Sequence, residues 1–73
     1  MINTTELKIT IEAARVNAGF TQPEAAKKLH ITVPTLISWE KGRSEPSIGQ
    51  ARAMSELYNI PLDNLIFLKG GTD

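Results

Sequence analysis

Two helix-start signals lying close together constrain this chain most. Thr21 is followed three residues later by Glu24, the spacing of a capping box. In that motif the hydroxyl accepts from the N3 amide and the carboxylate reaches back to the threonine amide. Pro23 falls in the first turn, where its missing N–H costs nothing. Thr32 is a second N-cap, again with a proline, Pro34, in the turn that follows. Between the two starts, Ala25, Ala26 and Leu29 give one buried stripe, and His30 and Ile31 form a short connection. Beyond Thr32, Leu36 and Trp39 recur at i, i+3 and Gly42 stops the helix near Lys41. The segment from Thr21 to Arg43 therefore reads as two short capped helices. Ala26 is small enough to let the second cross the first at close range.

Glycine and proline divide the remainder in the same way. A first helix is expected from about Leu7 to Ala18, with Leu7, Ile11, Ala14 and Ala18 on one stripe and Val16 on its flank. Gly19 ends it and Phe20 turns back toward the core. Ser47 caps a fourth helix through about Tyr58, burying Ile48, Ala51, Met54 or Ala53, and Leu57 or Tyr58. Asn59, Ile60 and Pro61 break it, and a fifth short helix is expected over Leu62 to Phe67. The run Leu65 to Leu68 is apolar but too short to argue a sheet. The expected fold is all-α, a compact five-helix domain over residues 6–68, with 1–5 and 69–73 as flexible termini.

At 73 residues without cysteine, such a domain rests on packed helices rather than disulfides or thiolate-bound zinc. The lack of cysteine suits a reducing cytoplasm. No apolar run is long enough to span a bilayer, and Met1 to Lys8 lack a signal-peptide h-region, so no membrane partner is expected. The formal net charge is zero, but it is unevenly spread. In residues 21–43, Lys27, Lys28, Lys41 and Arg43 outnumber Glu24 and Glu40 by two. In residues 44–73, Glu45, Glu56, Asp63 and Asp73 outnumber Arg52 and Lys69 by two. The sequence has no glycine-rich phosphate loop, metal-ligand cluster or nucleophile–histidine pair, so no catalytic residue, metal, cofactor or small-molecule substrate is expected. His30 has no partner for a metal site and is read as a turn residue. Trp39 is read as a core side chain, and Lys27 and Lys28 as a solvated face.

The ordered set Arg15, Gly19-Phe20-Thr21-Gln22, Glu24-Ala25-Ala26, Leu29, Ile31-Thr32, Thr35-Leu36, Trp39-Glu40-Lys41-Gly42-Arg43 and Pro46 resembles the Cro/CI-type (XRE-like) helix-turn-helix family of bacterial and phage repressors. Tyr58 to Leu65 extends the likeness, which covers about residues 6–67. The resemblance implies a lambda repressor-like domain that binds double-stranded DNA and regulates transcription, with the second helix of the unit in the major groove. It implies base contacts from Val33, Pro34 and Ser38. It implies phosphate contacts from Thr21, Gln22, Thr32, Thr35, Lys41, Arg43 and Ser44, and a structural ion pair between Arg15 and Glu40. His30 stands where the turn often has glycine, a backbone geometry histidine is among the residues to tolerate. Val33 and Pro34 offer no hydrogen bond to a base edge but can meet a thymine methyl.

A small neutral module makes few phosphate contacts, so a homodimer reading two half-sites is expected. Leu62, Ile66, Phe67 and Leu68 exceed what so small a core can bury, and they are the candidate dimer patch. A rival reading is an antitoxin-like interaction module that neutralises a second protein through the acidic C-terminal third.

Overall fold

A computed structural model of the chain describes residues 8–69. The expected start of the first helix at Leu7 lies outside these residues, as do 1–5 and 70–73. The elements run β1 (Ile9–Thr10), α1 (Ile11–Asn17), α2 (Gln22–Lys28), α3 (Val33–Glu40), α4 (Ile48–Tyr58), one 3-10 turn (Leu62–Asn64) and β2 (Leu65–Ile66). Four helices carry the fold. α2 packs on α3, and α1 packs on α4. β1 and β2 form a two-residue parallel pair with Ile9 opposite Leu65 and Thr10 opposite Ile66.

The four helix starts follow the side-chain chemistry. Thr21 accepts from the Glu24 amide at 3.2 Å while its own amide donates to Glu24 Oε1 at 2.9 Å. Those bonds hold the Glu24 carboxyl below its usual range, helped by Lys28. Ser47 and Gln50 form a second reciprocal box. Thr32 and Thr10 are simple N-caps on Thr35 and Ala13. All four helix ends share one design. Phe20, Ile31, Arg43 and Ile60 each donate their amide to the carbonyl five residues back, on Arg15, Ala26, Ser38 and Ser55. The residue before each, Gly19, His30, Gly42 or Asn59, is left-handed at φ 87°, 60°, 77° or 59°. This is the 6→1 closure of a Schellman motif, which satisfies a terminal carbonyl and reverses the chain sharply.

The core gathers Ile11 and Ala14 of α1, Ala25 and Ala26 of α2, Leu36 and Trp39 of α3, and Met54 and Tyr58 of α4, with Leu65 closing it. Phe20 rests on this cluster, its ring centroid 6.4 Å from that of Tyr58.

Several sequence expectations need correction. The first helix begins at Ile11, because Thr10 is extended (ψ 156°) and spends its hydroxyl on the cap. Ala18, at the C-cap, is exposed, and Arg15 takes the buried place on that stripe. Val16 and Ile48 are exposed at 61% and 69%. Ile48 starts its helix on the outer side, and Ala51, Met54 and Tyr58 form the inner one. The fifth helix is absent: after one 3-10 turn, Leu65 is already extended (φ −85°, ψ 132°). Its neighbours in space are Ile9 and Thr10, and the β-branched residues at 9, 10 and 66 suit a ladder better than a further turn.

Candidate nucleic-acid interface

Thr21 to Arg43 forms the two-helix unit, with Leu29, His30, Ile31 and Thr32 between α2 and α3. His30 adopts the left-handed conformation the turn demands. What fixes α3 against the rest is a buried ion pair. Arg15 Nε donates to Glu40 Oε2 at 2.7 Å, and its Nη2 reaches Glu40 Oε1 at 3.4 Å. Both residues are buried, at 7% and 4% exposure. Arg15 Nη1 also donates to the Phe20 carbonyl at 2.8 Å, and Gln22 Nε2 donates to Glu40 Oε1 at 3.1 Å. The two charges are thus satisfied from α1, the α1–α2 turn and the start of α2. A planar guanidinium suits this, since it serves two acceptors in fixed directions.

The pair has an electrostatic consequence. Glu40 is neutralised internally, so the cations Lys27, Lys28, Lys41 and Arg43, all exposed, face only Glu24 among the carboxylates of residues 21–43. Lys41 is the C-cap of α3, and Arg43 and Ser44 follow at the start of the exposed loop.

The hydroxyls on α3 are organised in pairs. Thr32 Oγ1 and Thr35 Oγ1 lie 2.9 Å apart. Ser38 Oγ and Ser44 Oγ lie 2.7 Å apart, tying the helix to the loop that follows. Each hydroxyl retains further hydrogen-bonding capacity toward a ligand. Pro34 is exposed, whereas Val33 is partly buried and rests on the core cluster. Trp39 is buried at 5% exposure, as its spacing from Leu36 implied.

The structure therefore brings Arg15 to Glu40, Thr32 to Thr35 and Ser38 to Ser44. Gln22, expected at phosphate, has its amide nitrogen on Glu40. One residue escaped sequence reasoning. Ile37 is partly buried outside the core cluster, on the flank of α3 between Pro34 and Lys41. Its spacing of three from Pro34 was the available signal. Tyr58 closes the core behind Arg15 and Glu40 with no hydrogen-bond partner for its hydroxyl. Burial first, and Glu40 second, push its pKa up to about 12, with Arg15 acting the other way.

In the candidate dimer patch, Leu62 and Phe67 are partly buried against the core, and Ile66 and Leu68 are exposed at 37% and 41%. No helix among the described residues is long and apolar enough to cross a membrane.

Residues 11–65 match the helix-turn-helix family model. The chain is 38% identical over 56 residues to the HTH-type transcriptional regulator ImmR of Bacillus subtilis, an alignment covering 77% of this chain and 44% of ImmR. It is 30% identical over 59 residues to an uncharacterized HTH-type transcriptional regulator of Archaeoglobus fulgidus, covering 81% of this chain and 84% of that protein. The chain thus spans less than half the length of ImmR. No solved structure matches it. The two-helix unit, the left-handed turn at His30, the buried Arg15–Glu40 pair and the match over residues 11–65 agree: this chain belongs to the XRE-type helix-turn-helix family.

Proposed function

We propose that this chain is a sequence-specific DNA-binding transcriptional regulator, acting as a repressor of phage or bacterial origin that places α3 in the major groove of its operator. The observation that carries this reading is how α3 is held. Its inner side is locked by Leu36, Trp39 and the Glu40–Arg15 pair, while Pro34, Lys41 and the loop residues Arg43 and Ser44 stay exposed. A rigid helix with one unpartnered side and cations at its end fits a groove flanked by phosphates. Pro34, Ser38 and Val33 are the proposed base-facing residues, with Val33 at the edge where the helix meets the core. Thr21, Gln22, Thr32, Thr35, Lys41, Arg43 and Ser44 are the proposed phosphate neighbours. Both relatives, from Bacillus subtilis and Archaeoglobus fulgidus, are named as transcriptional regulators, which supports the same reading.

The working unit in this proposal is a homodimer in the cytoplasm. Leu62 and Phe67 line a shallow groove of about 370 Å³ with Pro46, Ile48 and Ala51. Ile48 stands exposed on its rim. An apolar surface of this kind supports self-association, and two modules double the phosphate contacts one neutral module can make. Sedimentation tests it: a strict monomer at high micromolar concentration, with and without DNA, removes the dimer.

Selection of duplexes from a randomised library, followed by salt-dependent mobility shifts, tests operator binding. One motif should be enriched. Lys41→Ala with Arg43→Ala should weaken binding across sequences and lower the salt slope by about two for each module. An unchanged slope refutes the backbone-contact assignment. Failure to enrich any motif at low salt refutes operator recognition and favours the antitoxin-like reading, in which a protein partner is the target.

A further inference from the structure

We propose that Ile37, with Pro34, forms an apolar reader for the C5 methyl group of a pyrimidine in the operator, and that this methyl is a principal sequence signal the chain detects. The inference deepens the operator-binding reading above and rests on it. α3 turns about 100° per residue. Taking the buried trio Leu36, Trp39 and Glu40 as its inner side, Pro34, Ser38 and Lys41 fall within about 35° of the opposite direction, and Ile37 lies about 70° from it, beside Pro34. Residues three apart on a helix are surface neighbours, about 5–6 Å between Cβ atoms. Pro34 is exposed and Ile37 is partly buried outside the core cluster, so the two make a continuous apolar strip at the front of the helix.

The chemistry of α3 restricts what that strip can recognise. Its eight residues, Val33 to Glu40, include no Asn, Gln, Arg or Lys, and its one carboxylate is buried against Arg15. Bidentate hydrogen bonding to guanine or adenine needs a guanidinium, an ammonium or an amide, so α3 makes no such contact from within its length. Its outward hydroxyl, Ser38, is paired with Ser44 at 2.7 Å and has capacity left for a single bond to a base edge, not for a bidentate one. In the major groove the only alkyl group of an unmodified base pair is the thymine methyl, and 5-methylcytosine carries the same group in the same place. An apolar strip without competing donors selects that group because any other base edge meeting it leaves a polar atom desolvated and unpaired.

The test replaces single thymines of the library-selected duplex by deoxyuridine, which removes the methyl and leaves the hydrogen-bonding edge intact. At one thymine in each half-site the affinity should fall about fourfold, the worth of one buried methyl. With Ile37→Ala the ratio between thymine and deoxyuridine at that position should fall to one. Ile37→Val, which keeps a branched apolar side chain, should retain a ratio above one and serves if the alanine variant does not fold. Cytosine at the same position should bind weakly. Recovery with 5-methylcytosine assigns recognition to the methyl alone, and loss with deoxyuridine without that recovery assigns it to thymine. If the selected duplex binds tightly but deoxyuridine is tolerated at every thymine, the methyl proposal is overturned while operator binding stands. If no duplex is selected, operator binding fails and this proposal falls with it.

Discussion

The two sides of α3 divide labour within eight residues. The inner side buries Leu36 completely, holds Trp39 at 5% exposure and commits Glu40 to Arg15. The outer side has Pro34 in solvent, Ser38 tied only to an exposed loop residue, and Lys41 free at the end. Substitution on the inner side should change stability, and substitution on the outer side should change binding. The difference teaches that the outer side, the proposed recognition surface, takes its rigidity from residues buried behind it.

The largest effect tests the inner side directly. Glu40→Ala leaves the Arg15 guanidinium buried without its counter-charge and should cost about 3–5 kcal/mol. Chemical denaturation measures this, and a loss below about 1 kcal/mol would mean that water already screens the pair. Replacing both partners by apolar residues should cost less than the single change, because no orphaned charge remains.

Next come the two glycines at helix ends. Gly19 and Gly42 are both left-handed, at φ 87° and 77°. A Cβ at Gly19 would meet nothing within 4 Å, so Gly19→Ala should cost only the left-handed strain, about 1 kcal/mol. A Cβ at Gly42 would stand 2.9 Å from Leu68 Cβ and 3.2 Å from its carbonyl carbon, so Gly42→Ala should cost about 2 kcal/mol or more. Equal losses at the two sites would show that the segment at Leu68 yields freely.

Tyr58→Phe should be neutral or stabilising by about 1 kcal/mol, since it removes a buried hydroxyl without a partner. The pH dependence has a definite sign. Burial raises the phenol to about 12 from 10, so the folded state holds this proton more tightly than the unfolded chain does. That contribution is full below pH 10 and is lost as pH rises toward 12. The phenylalanine variant should lose this slope, and an unchanged slope would place the titration elsewhere. The smallest effect belongs to the outer side: Ser38→Ala should move stability by less than about 0.5 kcal/mol. A larger loss would mean that the Ser38–Ser44 bond is structural and the division across α3 is incomplete.

Much of this arrangement was legible because it is written in short-range chemistry. Thr21 with Glu24, Thr32 with Pro34, and Ser47 each announce a helix start within four residues. The left-handed role of His30 was implied by the family resemblance, which puts it where the turn often has glycine. The Arg15–Glu40 pair was legible by family resemblance alone, since neither periodicity nor charge pattern marks two residues 25 apart as partners. The errors have one cause. The fate of Thr10, Ile48, Leu65 and Ile66 depends on what arrives beside them in space. Leu65 and Ile66 suit a helix locally and become a strand because Ile9 and Thr10 lie alongside. Ile37 drew no reading from the sequence, because its place became defined only once Leu36 and Trp39 had taken the inner side.

The pairing of positions 9 and 65 also orders events in time. Closing so long a loop in an unfolded chain costs about 3.6 kcal/mol more than the constant term, from (3/2)RT ln n. A ladder of two residues on each strand cannot offset that unaided. The bridge therefore forms only after α1 and α4 have packed and brought the two segments together. It is a late latch: it reports that the four helices have assembled, and it plays no part in starting them.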